Sequence, residues 1–177
     1  MKKQTAVAAL IFSFTVTMWA QQQDKSKRPS PPGTAAVGFA DGKKVTIEYS
    51  RPYAKGRKIV GGLVPYDQVW RTGANEATLL KTDADLEIGG TTVPAGSYTL
   101  WTIPSSGSWK LIINKQTGQW GTNYDQSQDL ARVNMTVSSL PQVEQFTISF
   151  DKTGGDSAKL NLDWEKTRAS VDLKEKK

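Results

Sequence analysis

"QFTISFDKTGGDSAKLNLDWE", residues 145–165, decides the fold. Phe146, Ile148 and Phe150 alternate with Thr147, Ser149 and Asp151, and beyond "TGGD" at 153–156 the residues Leu160, Leu162 and Trp164 alternate with Asn161 and Asp163. Successive side chains of a strand point to opposite faces, so each run sets one face on a core and the other in water. The glycine pair between the runs marks a turn. The same period of two extends outward through "KVTIEYS" (Val45, Ile47, Tyr49), "RVNMTVS" (Val133, Met135, Val137) and "RASVDLK" (Ala169, Val171, Leu173). Turn signals at Gly89-Gly90, 94–96 and 105–108 punctuate the rest. Short half-buried strands at this spacing predict an all-β domain, a single antiparallel β-sandwich of jelly-roll-like or Ig-like kind, with a small β-barrel as the alternative. No long amphipathic helix is evident, and residues 121–132 read as a loop or one helical turn.

Two stretches break the alternation. "SYTLWTIP" carries Leu100 on one face and Trp101 and Ile103 on the other, while "SWKLIINK" sets Trp109, Leu111 and Ile113 opposite Ile112. A strand that is apolar on both faces is either covered twice or lined on one side by a ligand. Trp101, Trp109 and Trp120 are accordingly core anchors or a platform on which a sugar stacks, and Trp101 and Trp120 are carried as candidate ligand contacts.

The ends of the chain speak to location. Met1-Lys2-Lys3, the apolar "AVAALIFSFTVTMWA" and Ala20 before "QQQDKSKR" read as a secretory signal peptide over 1–20, cut between Ala20 and Gln21; an uncleaved N-terminal anchor is the alternative. The apolar run falls short of the ~20 residues that cross a bilayer. Residues 21–29 read as a disordered leader, 30–174 as one domain and 175–177 as a charged tail. Cysteine is absent, which fits an export signal on a bacterial chain bound for the periplasm or the exterior better than a disulfide-stapled eukaryotic domain. The formal charge of +6 falls by the two charges of Lys2 and Lys3 to +4, too mild and too evenly spread to argue for nucleic acid. The expected partners are a small polar ligand or a component of the cell envelope, with no membrane span after cleavage and the oligomeric state open.

Chemistry is narrowed by composition. With neither histidine nor cysteine there is no Ser-His-Asp or Cys-His arrangement, no imidazole acid or base and no His-based zinc site, and no cofactor is expected. Carboxylates, a Ser-Lys pair or a hard cation held by oxygens are what is left. Asp83, Asp85 and Glu87 alternate on one face, as a calcium site or as an exposed strand face beside a hairpin.

"VWRTGANEATLL", residues 69–80, sets three strong hydrogen-bonding side chains between two apolar runs. It follows "SRP", whose proline ends a strand, and a long connection carrying Lys55, Arg57 and Lys58. Arg71, Asn75 and Glu76 form either an internal arginine–carboxylate clamp on an Asn-capped turn, or a pocket rim. In the second case Arg71, Arg57 or Arg51 binds an anionic or polyhydroxyl ligand that Asn75 and Glu76 orient. Three functions follow: a binding module for a small polar, carbohydrate or anionic, ligand, which is favoured; a carboxylate-dependent hydrolase using Glu76 with Asp125 or Glu144; or a structural or assembly protein of the envelope.

Longer strings add a resemblance. "YSRPYAKGRKIVGGLVPYDQVWRTGANEATLL", "VPAGSYTLWTIP", "WKLIINKQTGQWG" and "FTISFD" with "AKLNLDWEKTRASV" resemble the bacterial DUF2911 family, over residues from about 30 to 171. The resemblance implies an exported all-β domain without an assigned activity. Some relatives carry a further C-terminal helical-repeat segment, whose role is not carried over to this chain.

Overall fold

The structure, a computed structural model, describes residues 24–177. The signal segment and its Ala20–Gln21 junction lie outside the described residues. Among the described residues nine strands follow one another: β1 (Pro32–Gly38), β2 (Lys44–Ser50), β3 (Thr78–Thr82), β4 (Leu86–Ile88), β5 (Thr91–Val93), β6 (Gly96–Pro104), β7 (Trp109–Asn114), β8 (Asp129–Lys152) and β9 (Ser157–Glu175). They form one antiparallel sheet in the order β1-β2-β3-β6-β7-β8-β9-β4-β5. The order is a meander with one excursion, the β4–β5 hairpin, which leaves after β3 and pairs with the far end of β9.

The long strands turn this sheet into a sandwich. The first part of β8, through Met135, pairs with β7, and from Thr136 onward β8 pairs with β9, so the ladder changes partner within one strand. Register shifts between Ser139 and Val143 and between Val143 and Thr147, with Glu165 opposite at φ 54°, mark bulges. Bulges bend a strand and increase its twist, which folds the second half of the sheet over the first. The runs "RVNMTVS" and "QFTISFD", read as separate strands, are therefore one strand. "KLNLDWE" and "RASVDLK" are likewise one, because the irregular residues between the runs are absorbed as bulges rather than turns.

The predicted inward faces are buried, Val137 and Phe150 only partly, but β9 does not turn its other face to water beside Leu162: Asn161 (0% exposed) and Asp163 (7%) are buried as well. Val45, Ile47, Tyr49, Phe146, Ile148, Leu160, Leu162, Trp164, Ala169, Val171 and Leu173 join one core contributed by both layers. The Tyr49 hydroxyl stitches the layers, donating to the Ile148 carbonyl (3.3 Å) and accepting from the Ile148 N–H (2.8 Å). Leu100 belongs to this core, whereas Trp101 packs with Ala77 and Ile112 into a second, small one beneath Ile103 and Tyr124. Strand β6 is thus apolar on both faces because both are covered.

Three expectations are corrected. The sheet does not close into a barrel: β1 and β5 remain edges, and the chain after β2 meets β8 at the single bridge Tyr53–Gln145, where Pro52 has no N–H to extend a ladder. The leader is not without structure from Asp24 on, since Lys25–Lys27 form a 3-10 turn whose Asp24 side chain caps the Ser26 N–H. Glu175, assigned to a solvated tail, ends β9 at 3% exposure and accepts Lys43 Nζ at 2.7 Å. No helix among the described residues is long and apolar enough to cross a membrane.

Candidate functional site

The connection between β2 and β3 is pinned at intervals. Arg51 is held along β8, its Nε donating to the Phe146 carbonyl (3.3 Å) and its Nη2 to Thr147 Oγ1 (3.0 Å). Arg57 closes its own turn on the carbonyls of Ala54 and Tyr53. Ala54, Ile59 and Val64 are buried, and the Ile59 N–H donates to Glu165 Oε2 (2.9 Å). Trp70 then drops into the core between Trp109, Phe146 and Trp164.

From that anchor the chain makes a tight loop. Thr72 (φ 51°) and Asn75 (φ 60°) both adopt the left-handed region, which a β-branched residue enters only where its surroundings hold it. Thr72 is fully buried; its hydroxyl bonds Thr102 Oγ1 (3.2 Å) and its carbonyl accepts Thr78 Oγ1 (2.7 Å). Asparagine tolerates the left-handed conformation well, and Asn75 Nδ2 reaches the Ser30 carbonyl (3.1 Å) and Ser50 Oγ (3.2 Å). Gly121 docks alongside, its N–H donating to the Asn75 carbonyl (2.9 Å). A Cβ there would lie 2.6 Å from both that carbonyl and Arg71 Cδ, so the approach requires glycine.

Arg71 and Glu76 part company across this loop. Arg71 is half-buried, has no hydrogen-bond or ion-pair partner among the described residues, and lines a cavity of about 430 Å³ with Val64, Gln68, Trp70, Trp101 and Tyr124. Tyr124 lies tilted on Trp101, 5.0 Å between ring centres. Its hydroxyl donates to Asp129 Oδ2 (2.7 Å) and accepts Arg132 Nη2 (2.9 Å); burial and the Asp129 carboxylate push it up to about 12, so it stays a donor. Trp101 is 2% exposed and gives its indole N–H to Thr99 Oγ1 (3.1 Å), whereas Trp120 is 45% exposed, bridged to Glu76 by backbone.

Glu76 faces the other way, into a cleft of about 370 Å³. Both of its oxygens accept Arg28 Nη1 (3.0 and 2.9 Å), and Lys25 Nζ lies 3.0 Å from Oε1. A carboxylate clamp exists, but its arginine comes from the leader. Desolvation pushes the Glu76 carboxyl up; its own backbone N–H, Lys25 and Arg28 outweigh that and bring it from 4.5 down to about 2. A depressed folded-state value means that the clamp stabilises fully above the ordinary carboxyl range and is lost as the pH falls through about 2. Amide resonances of residues 25–30 are expected to move with a midpoint near pH 2; a midpoint near 4.5 would show that Glu76 is unpaired in solution.

The other acids are occupied separately. Asp125 caps Ser127, Glu144 accepts the Lys55 N–H (2.8 Å), Asp83 accepts the Lys44 N–H (3.3 Å) and Asp85 the Ala95 N–H (2.7 Å). Among the described residues no three acids gather as a cation site. The sequence brought out Arg71, Asn75 and Glu76, and the fold separates them: Arg71 lines one cavity, Glu76 another, and the Asn75 amide is taken up by Ser30 and Ser50. It missed Lys25 and Arg28, and also Tyr124, which lay in the segment read as a loop.

These features define a β-sandwich class by its fold alone: an antiparallel sheet folded over one core, with an arginine-bearing cavity beside a strained loop. The model of the family described as "Protein of unknown function (DUF2911)" matches residues 30–173, and the chain belongs to that family. No curated protein and no solved structure matches the chain.

Proposed function

We propose that the protein is a binding module for a small anionic ligand with a ring or apolar face, such as an acidic sugar, held in the Arg71 cavity. The observation that carries this is the half-buried Arg71, whose guanidinium has no carboxylate partner among the described residues. Burying a cation partly and leaving it unpaired is costly, and a bidentate carboxylate or phosphate removes that cost. The cavity volume falls in the range of small-molecule sites, and the half-buried Tyr124 on its wall, backed by the covered Trp101, suits a ring. A hydrolytic reading gains nothing from Asp125 and Glu144, which serve a turn and a loop.

In a thermal-shift screen of sugar acids, neutral sugars and phosphates, an anionic compound is expected to raise the melting temperature of the wild type. Arg71→Met should melt as the wild type does and lose the shift, about 2.7 kcal/mol when the ligand is at a hundred times its Kd. If Arg71→Met instead melts much lower, or neutral sugars stabilise equally, the reading is wrong. The ligand would be met in the periplasm or outside the cell, as the signal read in residues 1–20 implies. Protein recovered from an expressing bacterium should have the mass of a chain starting at Gln21, and a full-length mass would overturn export.

A further inference from the structure

The leader is attached to the domain as a bound peptide would be. Its turn is closed internally, by the Lys27 N–H to the Asp24 carbonyl (3.3 Å) and the Arg28 N–H to the Lys25 carbonyl (3.2 Å). Among the described residues, the first backbone bond to the domain comes at Pro31, whose carbonyl accepts the Arg51 N–H (2.8 Å). Before that point the attachment is by side chains: Arg28 and Lys25 on Glu76, and Asn75 Nδ2 on the Ser30 carbonyl. The Arg28 side chain is only 21% exposed, sunk into the cleft that Glu48, Tyr49, Leu79 and Gln119 also line. Arg28 thus forms part of the cleft wall and meets a carboxylate at its end.

We propose that the Glu76 cleft is a receptor for basic chain segments, with the leader as its resident ligand. Both Glu76 oxygens accept from the single Nη1 of Arg28 and Oε1 also meets Lys25 Nζ, so the carboxylate recognises basic side chains, lysine as well as arginine. The contacts are partly solvated ion pairs, which are weak singly and screened by salt, so the leader can be displaced. Its advantage is the tether, which sets an effective concentration on the order of millimolar that a competitor must exceed. A segment of the same chemistry can come from a second copy of this chain or from another protein.

The test uses the full chain carrying Lys25→Ala and Arg28→Ala, titrated with a labelled peptide of the sequence DKSKRPSP and followed by anisotropy. The variant is expected to melt close to the wild type and to bind the peptide saturably, at least about tenfold more tightly than the wild type does. Raising the salt should weaken binding, and adding Glu76→Gln should abolish it. A peptide with alanine at all its lysine and arginine positions should not bind. The proposal is overturned if no saturable binding occurs, if wild type and variant bind equally, or if binding survives Glu76→Gln. Light scattering of the wild type separates the sources: mass that grows with concentration, and does not grow in Glu76→Gln, supports exchange of leaders between copies. Constant mass together with peptide binding supports a segment from another protein.

Discussion

Trp164→Ala is expected to cost about 3–5 kcal/mol, the range for deleting a large buried aromatic side chain. Trp164 is 4% exposed, stacked on Trp70 (5.7 Å, 19° between planes) and tilted against Phe146 (5.7 Å, 58°). Removing it takes away apolar burial and two aromatic contacts, and neither layer can collapse into the space, because Tyr49 binds the layers together through Ile148. For a domain near 150 residues this corresponds to a fall in melting temperature on the order of 10 °C. Near-ultraviolet circular dichroism, which reads fixed aromatic packing, should weaken along with it. A loss below about 1 kcal/mol would mean that the inward and outward faces of β9 are reversed.

That face was legible because a strand has a rigid period. Leu160, Leu162 and Trp164 follow a rule that depends on nothing outside the strand, and the fold obeys it. The length of β8 and β9 was not legible, since bulges such as those at Val143 and Glu165 interrupt the period as turns do. The order of the sheet escaped for another reason: β4 pairs with the end of β9 only because the core between the layers is filled that way, a long-range outcome with no local signal. In the site, Arg71 and Asn75 stood out as polar residues in an apolar setting. The partners of Glu76 did not, because Arg28 lies 48 residues away in a stretch whose composition argues for disorder, and three side-chain attachments override that composition.

Trp70→Ala is expected to cost about 2–4 kcal/mol, less than Trp164→Ala because Trp70 is only partly buried, but to fail in a different place. Its ring completes the aromatic cluster, edge-on to Trp109 (6.4 Å) and Phe146 (5.1 Å) and stacked on Trp164. Its backbone bonds Thr102 twice, N–H to carbonyl at 2.7 Å and carbonyl to N–H at 2.9 Å, and so ends the β2–β3 connection against β6. Trp164 lies at a bulge with long runs of the β8–β9 ladder on either side, which hold the strand when the ring is lost, whereas Trp70 stands at an isolated bridge with a left-handed Thr72 two residues on. Losing the ring should therefore open the connection locally before the domain unfolds, since segments with few ladder bonds open at lower free energy than the core. Trypsin under native conditions should cut at Lys55, Arg57 and Lys58 much faster in Trp70→Ala than in Trp164→Ala at matched global stability. Arg71, the next residue, would lose its fixed place on the cavity wall, so ligand-induced stabilisation should fall as well. If the connection resists trypsin equally in both variants, Trp70 only fills space, and the link from core packing to the placement of Arg71 is broken.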